Sequence, residues 1–383
     1  MKTRTIQFGK PWIGDEEKQA VLEVLSGDVL THGPQSKAFE EEFAQFMGGG
    51  YCVSVSSGMA ALHLSYLEMG IGVGDEVIVP AETHVATVHA VEMVGATPVF
   101  LDCEPKTGNI DVSKLESLIT KKTKVISLVH FLGVPCDMDE VMRIAEKHGL
   151  KVVEDCALAI GSRYKGTHVG LIGDTGCFSF YPVKHITTGD GGMFVTKHKD
   201  VAVRVSKIRG FYVDKTFAER TIPGMYDTLG VGLNYRMSDI NASIGRQQLK
   251  RMGPISERRK ANFIALKSAL TGLPNVSILD SQSVNAASSY YCLSIVLEKP
   301  LDEKRIEIVK KLNEAGVGTS VYYPQPVPRM TFYNNKYGYK AANFAQAERI
   351  SDQSIALPVG PHLTTDDMAY IAETLSTVLK EIN

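Results

Sequence analysis

The chain has almost no net charge to offer a polyanion: 41 basic and 43 acidic side chains leave a formal charge of −2 over 383 residues. A surface that binds nucleic acid needs a basic excess to displace counterions from phosphates, so nucleic acid is not an expected partner. No run of about 18 apolar residues occurs, so no segment is expected to span a membrane. The opening stretch MKTRTIQFGKPWIGDEE lacks the apolar core of a signal peptide. Cys52, Cys103, Cys136, Cys156, Cys177 and Cys292 are scattered and never form CxxC. That pattern disfavours disulfides and zinc and fits reduced thiols in a cytoplasmic, soluble protein. A Walker loop is missing, because no GK[ST] follows a glycine-rich turn, and no GxGxxG follows the early strands. Nucleoside-triphosphate chemistry and a dinucleotide-binding dehydrogenase lose support accordingly. There is no internal repeat and no low-complexity tract.

What is present has the balance of an ordinary globular protein, 44% hydrophobic and 22% charged. The length predicts a large domain plus a smaller one. Through the first two hundred residues, short apolar strands (YCVSVSS, DEVIVP, TPVFLD, TKVISLVHF, KVVEDC) alternate with helical segments (GMAALHLSYLEMG, ATVHAVEMVG, MDEVMRIAEKHG). Continuously apolar strands separated by helices predict an α/β fold with a mostly parallel central sheet covered on both faces. Such sheets bind ligands at the carboxyl ends of their strands. After CFSFY and GGMFVT come two long helical stretches, roughly 236–252 and 255–272, and then a smaller α+β region. The expected division is a large domain over 1–253, with an N-terminal arm, and a small domain over 254–383, the boundary near Pro254. The stretch 210–237 is long and aperiodic, the habit of loops that serve function or reach another subunit.

Three features carry chemistry. In SSGMAA a strand ends in two serines and a glycine and a helix starts at once, a place where free N–H groups and the helix dipole favour an anion, although an ordinary serine-capped turn reads the same way. Asp155 ends a buried strand, where a carboxylate needs a cation or hydrogen-bond donors; it could equally be a capping aspartate. Lys184 follows a serine-bearing aromatic strand and precedes TTGDGG, and a lysine amine in surroundings that favour its neutral form can bond a carbonyl. Together they are the anchors pyridoxal 5'-phosphate needs for its phosphate, ring nitrogen and aldehyde.

FSFYPVKHITTGDGGM resembles the lysine motif of the DegT/StrS-type sugar aminotransferases, which are fold-type I pyridoxal-phosphate enzymes. The resemblance extends in order through LSGDVLTHGPQSKAFEEEFAQFMG, SSGMAALHLSYLEMGIGVGDEVIVPAETHVAT, GATPVFLDCEPKTGNID, VVEDCALAIGSRYKG, GLNYRMSDINASIGRQQL, GVGTSVYYPQPV and LPVGPHLT. It implies that Lys184 forms the internal aldimine and then moves the substrate proton. Asp155 would keep the pyridine nitrogen protonated, and His84 would pack on the ring face. Ser179 and the backbone of Gly58, Met59 and Ala60 would form the phosphate cup, and Asn234 would reach that phosphate from the neighbouring subunit of a homodimer with shared active sites. Thr31, His32 and Gly33, the 210–237 loop and Tyr323 match regions near the sugar nucleotide. The implied reaction moves an amino group from L-glutamate, through pyridoxamine 5'-phosphate, to a keto-sugar carried on a nucleoside diphosphate, with a 4-keto hexose favoured.

Two departures from the family pattern stand out. Met59 replaces a frequent threonine, and Leu158 replaces a glutamine or histidine near the cofactor's phenolic oxygen. The family also contains 3-dehydratases, which carry histidine at the lysine position; here the register places Lys184 there and His185 after it. The dehydratase and a non-catalytic sensor that binds the cofactor or a nucleotide sugar are the alternatives to an aminotransferase.

Overall fold

The structure, a computed structural model, describes residues 4–215 and 219–382. Residues 216–218 of the 210–237 loop lie outside the described residues. The large domain is built on a seven-stranded sheet in the order Tyr51–Val55, Gly192–Thr196, Thr175–Ser179, Lys151–Asp155, Thr123–Val129, Glu76–Pro80, Thr97–Leu101. Only Gly192–Thr196 runs against its neighbours; the other pairings along the sheet are parallel. The parallel strands therefore end on one edge, and that edge receives Ser57, Glu82, His84, Asp155 and Ser179. The helix Gly58–Glu68 is apolar all round because it is covered on every side, with Ala60 to Tyr66 all buried.

Period-2 alternation decides what the strand before Lys184 presents. Phe178 and Phe180 point to one side, where they meet Phe39 and Phe43 of the helix Pro34–Met47; ring centroids are 5.2 Å apart for Phe43–Phe178 and 5.3 Å for Phe39–Phe180. Cys177 and Ser179 point to the other side, toward the helix Gly58–Glu68, where the Cys177 thiol lies 3.3 Å from the Ser65 hydroxyl. The aromatic layer is thus the foundation on which the lysine loop stands.

The small domain is a three-stranded antiparallel sheet (Val276–Ile278, Leu293–Leu297, Ser354–Leu357) packed by the helices Met252–Leu270, Arg305–Glu314 and Thr365–Ile382. Two features of the expected division change. The helix Met252–Leu270 runs through Pro254, which lies in its first turn, where no intrahelical N–H bond is lost. Its Met252 and Ile255 belong to the large-domain core and its Phe263, Leu266 and Leu270 to the small one, so the boundary is a shared helix and not a linker. The N-terminal arm joins the small domain: Ile6 sits in that core, donates to the Gly316 carbonyl at 2.8 Å and accepts from Gly318 at 2.8 Å.

Phe43→Ala should remove the centre of the aromatic layer and lower stability by about 3–5 kcal/mol. Urea unfolding followed by circular dichroism measures it.

Candidate active site

The lysine loop is closed at its neck by a single carbonyl. Phe180 O accepts from the Thr188 N–H at 3.0 Å and from the Thr187 hydroxyl at 2.9 Å, so residues 181–186 form a tied loop. Within it, the Lys184 N–H donates to Tyr181 O at 2.9 Å. The Lys184 amine is withdrawn from water and lies 5.6 Å from the centre of the Tyr291 ring. Burial pushes its pKa down to about 8, against the pull of the Asp155 charge. An ordinary lysine is almost wholly protonated at neutral pH; this one holds a usable fraction of free amine.

Asp155 is buried at the end of its strand. Its Oδ2 accepts from the Thr87 hydroxyl at 2.8 Å and its Oδ1 from the Ala157 N–H at 3.0 Å. Thr83 lies behind, its hydroxyl 2.8 Å from that of Thr87. Both Asp155 donors are neutral, and the carboxylate has no ion-pair partner among the described residues. A buried anion so placed is completed by a protonated nitrogen. The strand end is itself fixed from behind by Glu154, fully buried, which accepts from the N–H groups of Gly170, Ile172 and Gly173 and from His130 Nε2 at 2.9 Å. Those bonds hold the Glu154 carboxyl below its usual range despite burial.

The phosphate cup has the close approaches the glycines of the motifs were read for. A Cβ on Gly58 would lie 2.9 Å from Ser179 Cβ, and one on Gly192 would lie 2.5 Å from the Ser57 carbonyl carbon. Glycine at both positions lets the strand Gly192–Thr196 pass under the start of the helix. Of the three amides expected to meet phosphate, that of Ala60 is taken by the Ser57 side chain at 3.1 Å, a helix cap. The N–H groups of Gly58 and Met59 remain the open donors of this turn, next to the Ser179 hydroxyl.

His84 caps the helix Val85–Met93, its Nδ1 accepting from the Ala86 N–H at 3.2 Å. One ring edge packs against Tyr323, centroids 5.6 Å apart, while the residue stays exposed toward the cleft. Desolvation and the Lys184 charge lower its pKa, so it is a neutral imidazole. Tyr323 itself is buried and comes from the small domain. His185 is also buried, bonded through Nε2 to the Ser289 carbonyl at 3.0 Å and packed against Tyr291. It does not compete with Lys184. Leu158 is buried among Phe131, Tyr322 and Tyr323, a packing residue.

Asn234 is exposed, on a segment whose neighbour Tyr235 accepts the Ser56 N–H at 2.8 Å and so runs beside the cup. Thr31 pairs with Ser238 next to that segment, and the Gly33 N–H reaches Asp239 Oδ1 at 3.3 Å. His32 has a left-handed backbone, φ 59°. Its pKa is lowered by burial and by the neighbouring Arg236 and Arg209. Lys184, Asp155, His84 and Tyr323 thus meet in one cleft, with the cup at its end, and the 31–33 turn and Asn234 stand at the rim of the cup. Sequence reasoning missed Thr87, Tyr291 and Glu82. For Thr87 a signal existed: Thr83 and Thr87, four apart, bracket the helix start at the strand edge.

An amine of lowered basicity, a buried carboxylate awaiting a cation and an anion cup on one sheet edge define a pyridoxal-phosphate enzyme of fold-type I. The chain belongs to the DegT/DnrJ/EryC1/StrS aminotransferase family, whose model matches residues 11–376. It is 36% identical over 382 residues to the spore coat polysaccharide biosynthesis protein SpsC of Bacillus subtilis, covering 98% of this chain and 97% of that one. It is 36% identical over 369 residues to GDP-perosamine synthase of Escherichia coli O157:H7, covering 96% of each. The putative sugar aminotransferase Spr1654 of Streptococcus pneumoniae, solved in its PMP form, superposes with a TM-score of 0.94 at 31% identity over 99% of this chain and 100% of that one. This chain is accordingly an aminotransferase of the pyridoxal-phosphate class.

With an amine pKa near 8, capture of pyridoxal phosphate by the apo-protein should rise roughly tenfold from pH 7 to pH 9 and then level off. A solvated lysine would instead give a rise of about a hundredfold with no plateau in that range. Stopped-flow absorbance distinguishes the two.

Proposed function

We propose that this enzyme moves the amino group of L-glutamate to the keto carbon of a hexose carried on a nucleoside diphosphate, a 4-keto sugar in the first instance, to make an amino sugar for a surface polysaccharide or glycan. The observation that carries the reading is Lys184, a half-buried residue whose amine pKa is pushed down to about 8, near the buried carboxyl of Asp155. Bound pyridoxal phosphate supplies an electron sink that lets an amino group leave one carbon and join another. The protein supplies the rest. Asp155, held by Thr87 and Ala157, keeps a proton on the ring nitrogen; Gly58, Met59 and Ser179 hold the phosphate; His84 packs the ring face. Lys184 holds the cofactor's aldehyde between turnovers, and its free Nζ takes and returns the proton at the reacting carbon, for which a pKa near the working pH is suited.

Support for a nucleotide sugar comes from the cationic setting of the 31–33 turn, beside Arg209 and Arg236, and from the names of the relatives. Support for a homodimer comes from the apolar side chains left in water around the cup: Leu30, Phe211, Ile222, Met225, Leu229 and Val231 are all exposed. A second copy over that face would bring its own Asn234 to the cup. Six buried free cysteines and the lack of a helix long and apolar enough to cross a membrane, among the described residues, accord with a cytoplasmic enzyme.

Adding L-glutamate to the protein loaded with pyridoxal phosphate should replace the visible absorbance with that of pyridoxamine phosphate, and a keto-sugar nucleotide should restore it. Lys184→Ala should lower turnover by about a thousandfold, and a variant that keeps steady-state turnover would end the reading. For the shared site, mixing inactive Lys184→Ala and Asn234→Asp proteins should restore about a quarter of wild-type activity, since half the dimers are hybrids with one intact site each. No recovery on mixing would place Asn234 in its own chain's site.

A further inference from the structure

Glu82 is fully buried just past the carboxyl end of the strand Glu76–Pro80, two residues before His84, and the chemistry above gives it no role. Its two oxygens both reach the small domain. Oε1 accepts from the Tyr323 N–H at 2.7 Å, and Oε2 bonds the hydroxyl of Ser351, itself buried on the helix Ala345–Gln353. Beside it the Ala81 carbonyl accepts from the Val327 N–H at 2.9 Å. The side chain thus ties the turn that carries Tyr323 to the residue before the cleft, and Tyr323 is the ring that packs on His84.

We propose that Glu82 is a positioning residue of the transamination site: its carboxyl clamps the small-domain turn at Tyr323 against the large domain and so sets the pose of the His84 imidazole. The inference rests on the pyridoxal-phosphate assignment and goes beyond it. Glu82 has no ion-pair partner among the described residues. The charged groups that face it are Arg329 and Asp352, already paired with each other at 2.8 Å, and Arg305; the titratable neighbours are Cys103 and Tyr323. Burial outweighs its two hydrogen bonds and pushes its pKa up to about 8. Both oxygens are used: Oε2 accepts from the Ser351 hydroxyl and Oε1 from the Tyr323 N–H. Ionisation would leave a negative charge in a pocket closed to water with only these two donors to hold it, and would strain the clamp.

Glu82→Gln keeps the acceptor for the Tyr323 N–H, offers Ser351 an N–H that its hydroxyl can turn to accept, and cannot ionise. Glu82→Leu removes both bonds. The readout is the visible circular dichroism of bound pyridoxal phosphate, which reports the pose of the ring and needs no amino donor, so its outcome is separable from the identity of donor or sugar. At pH 7, Glu82→Gln should match wild type, and Glu82→Leu should lose half or more of the signal per bound cofactor. Between pH 6.5 and 9 the difference between wild type and Glu82→Gln should grow with a midpoint near 8. With L-glutamate, the ratio of half-reaction rates, Glu82→Gln over wild type, should climb from about one to about tenfold by pH 9, where some nine-tenths of such a carboxyl is ionised. In the apo-protein the sign is fixed by linkage. A carboxyl with a raised folded pKa costs stability as pH climbs from its ordinary range through 8, so the Tm of Glu82→Gln should gain on wild type across that window. If Glu82→Leu fails to fold, Ser351→Ala decides: it removes a bond that favours the ionised form, so the wild-type midpoint should move to higher pH. Wild-type dichroism in a folded Glu82→Leu, an unmoved midpoint in Ser351→Ala, or a Glu82→Gln protein that titrates as wild type does would each overturn the proposal.

Discussion

Everything in this molecule that bears on chemistry depends on holding two opposite charges out of water in one cleft without letting them touch. The carboxyl of Asp155 acts on the Lys184 amine through space, yet the two form no ion pair. Closing that gap would satisfy both groups and leave nothing to bind. Keeping it open carries a desolvation cost, offset for Asp155 by the Thr87 hydroxyl and the Ala157 N–H and for Lys184 by partial loss of its proton. The separation is enforced by backbone: Asp155 ends a central strand braced by Glu154, and Lys184 sits in a loop tied at Phe180. Neither can drift toward the other without breaking the sheet edge or the neck of the loop.

The fold's contribution is to aim several such groups at one edge. A parallel sheet puts the ends of its strands together, and helices start just beyond the ends of Tyr51–Val55 and Glu76–Pro80. The single reversed strand, Gly192–Thr196, is what allows the lysine loop to return under the phosphate cup, and it fits there only as glycine at position 192. The aromatic layer below is fixed by the same alternation that turns Ser179 toward the cup. Stability and function here share one strand: Phe178 and Phe180 on one face, Ser179 on the other.

Much of this was legible in the sequence, and the parts that were not have physical reasons. Lys184, Asp155 and Ser179 could be picked out because each is a chemical group at the end of an apolar strand. Near the expected boundary, Pro254 stands in the first turn of one continuous helix, where its missing N–H costs no bond, and nothing local in the sequence tells that helix from two. The Ala60 amide, which the resemblance places in the cup, donates to the Ser57 cap in this structure, a bond that the sequence leaves open because a cap and an anion suit the same N–H. Glu82, Tyr291 and the pairing of Ile6 with the small domain were not legible. Their partners lie far along the chain, 241 residues away for Glu82 and Tyr323, and nothing local marks them.

The distribution of polarity between the domains carries a last consequence. What the small domain presents to the cleft is aromatic: Tyr291 near the Lys184 amine, Tyr323 against His84, and Tyr322 joined to Tyr291 through hydroxyls 2.8 Å apart. The charged anchors all come from the large domain. An aromatic wall binds a sugar ring by its faces and offers hydroxyls for orientation, but it discriminates weakly between neighbouring carbons. The anchors are fixed in the large domain, and on the function proposed above this wall is the side a sugar would meet, so its registration against Asp155 and Lys184 matters. In this chain that registration runs through the main chain at Tyr323, and Glu82 is the large-domain side chain that holds it.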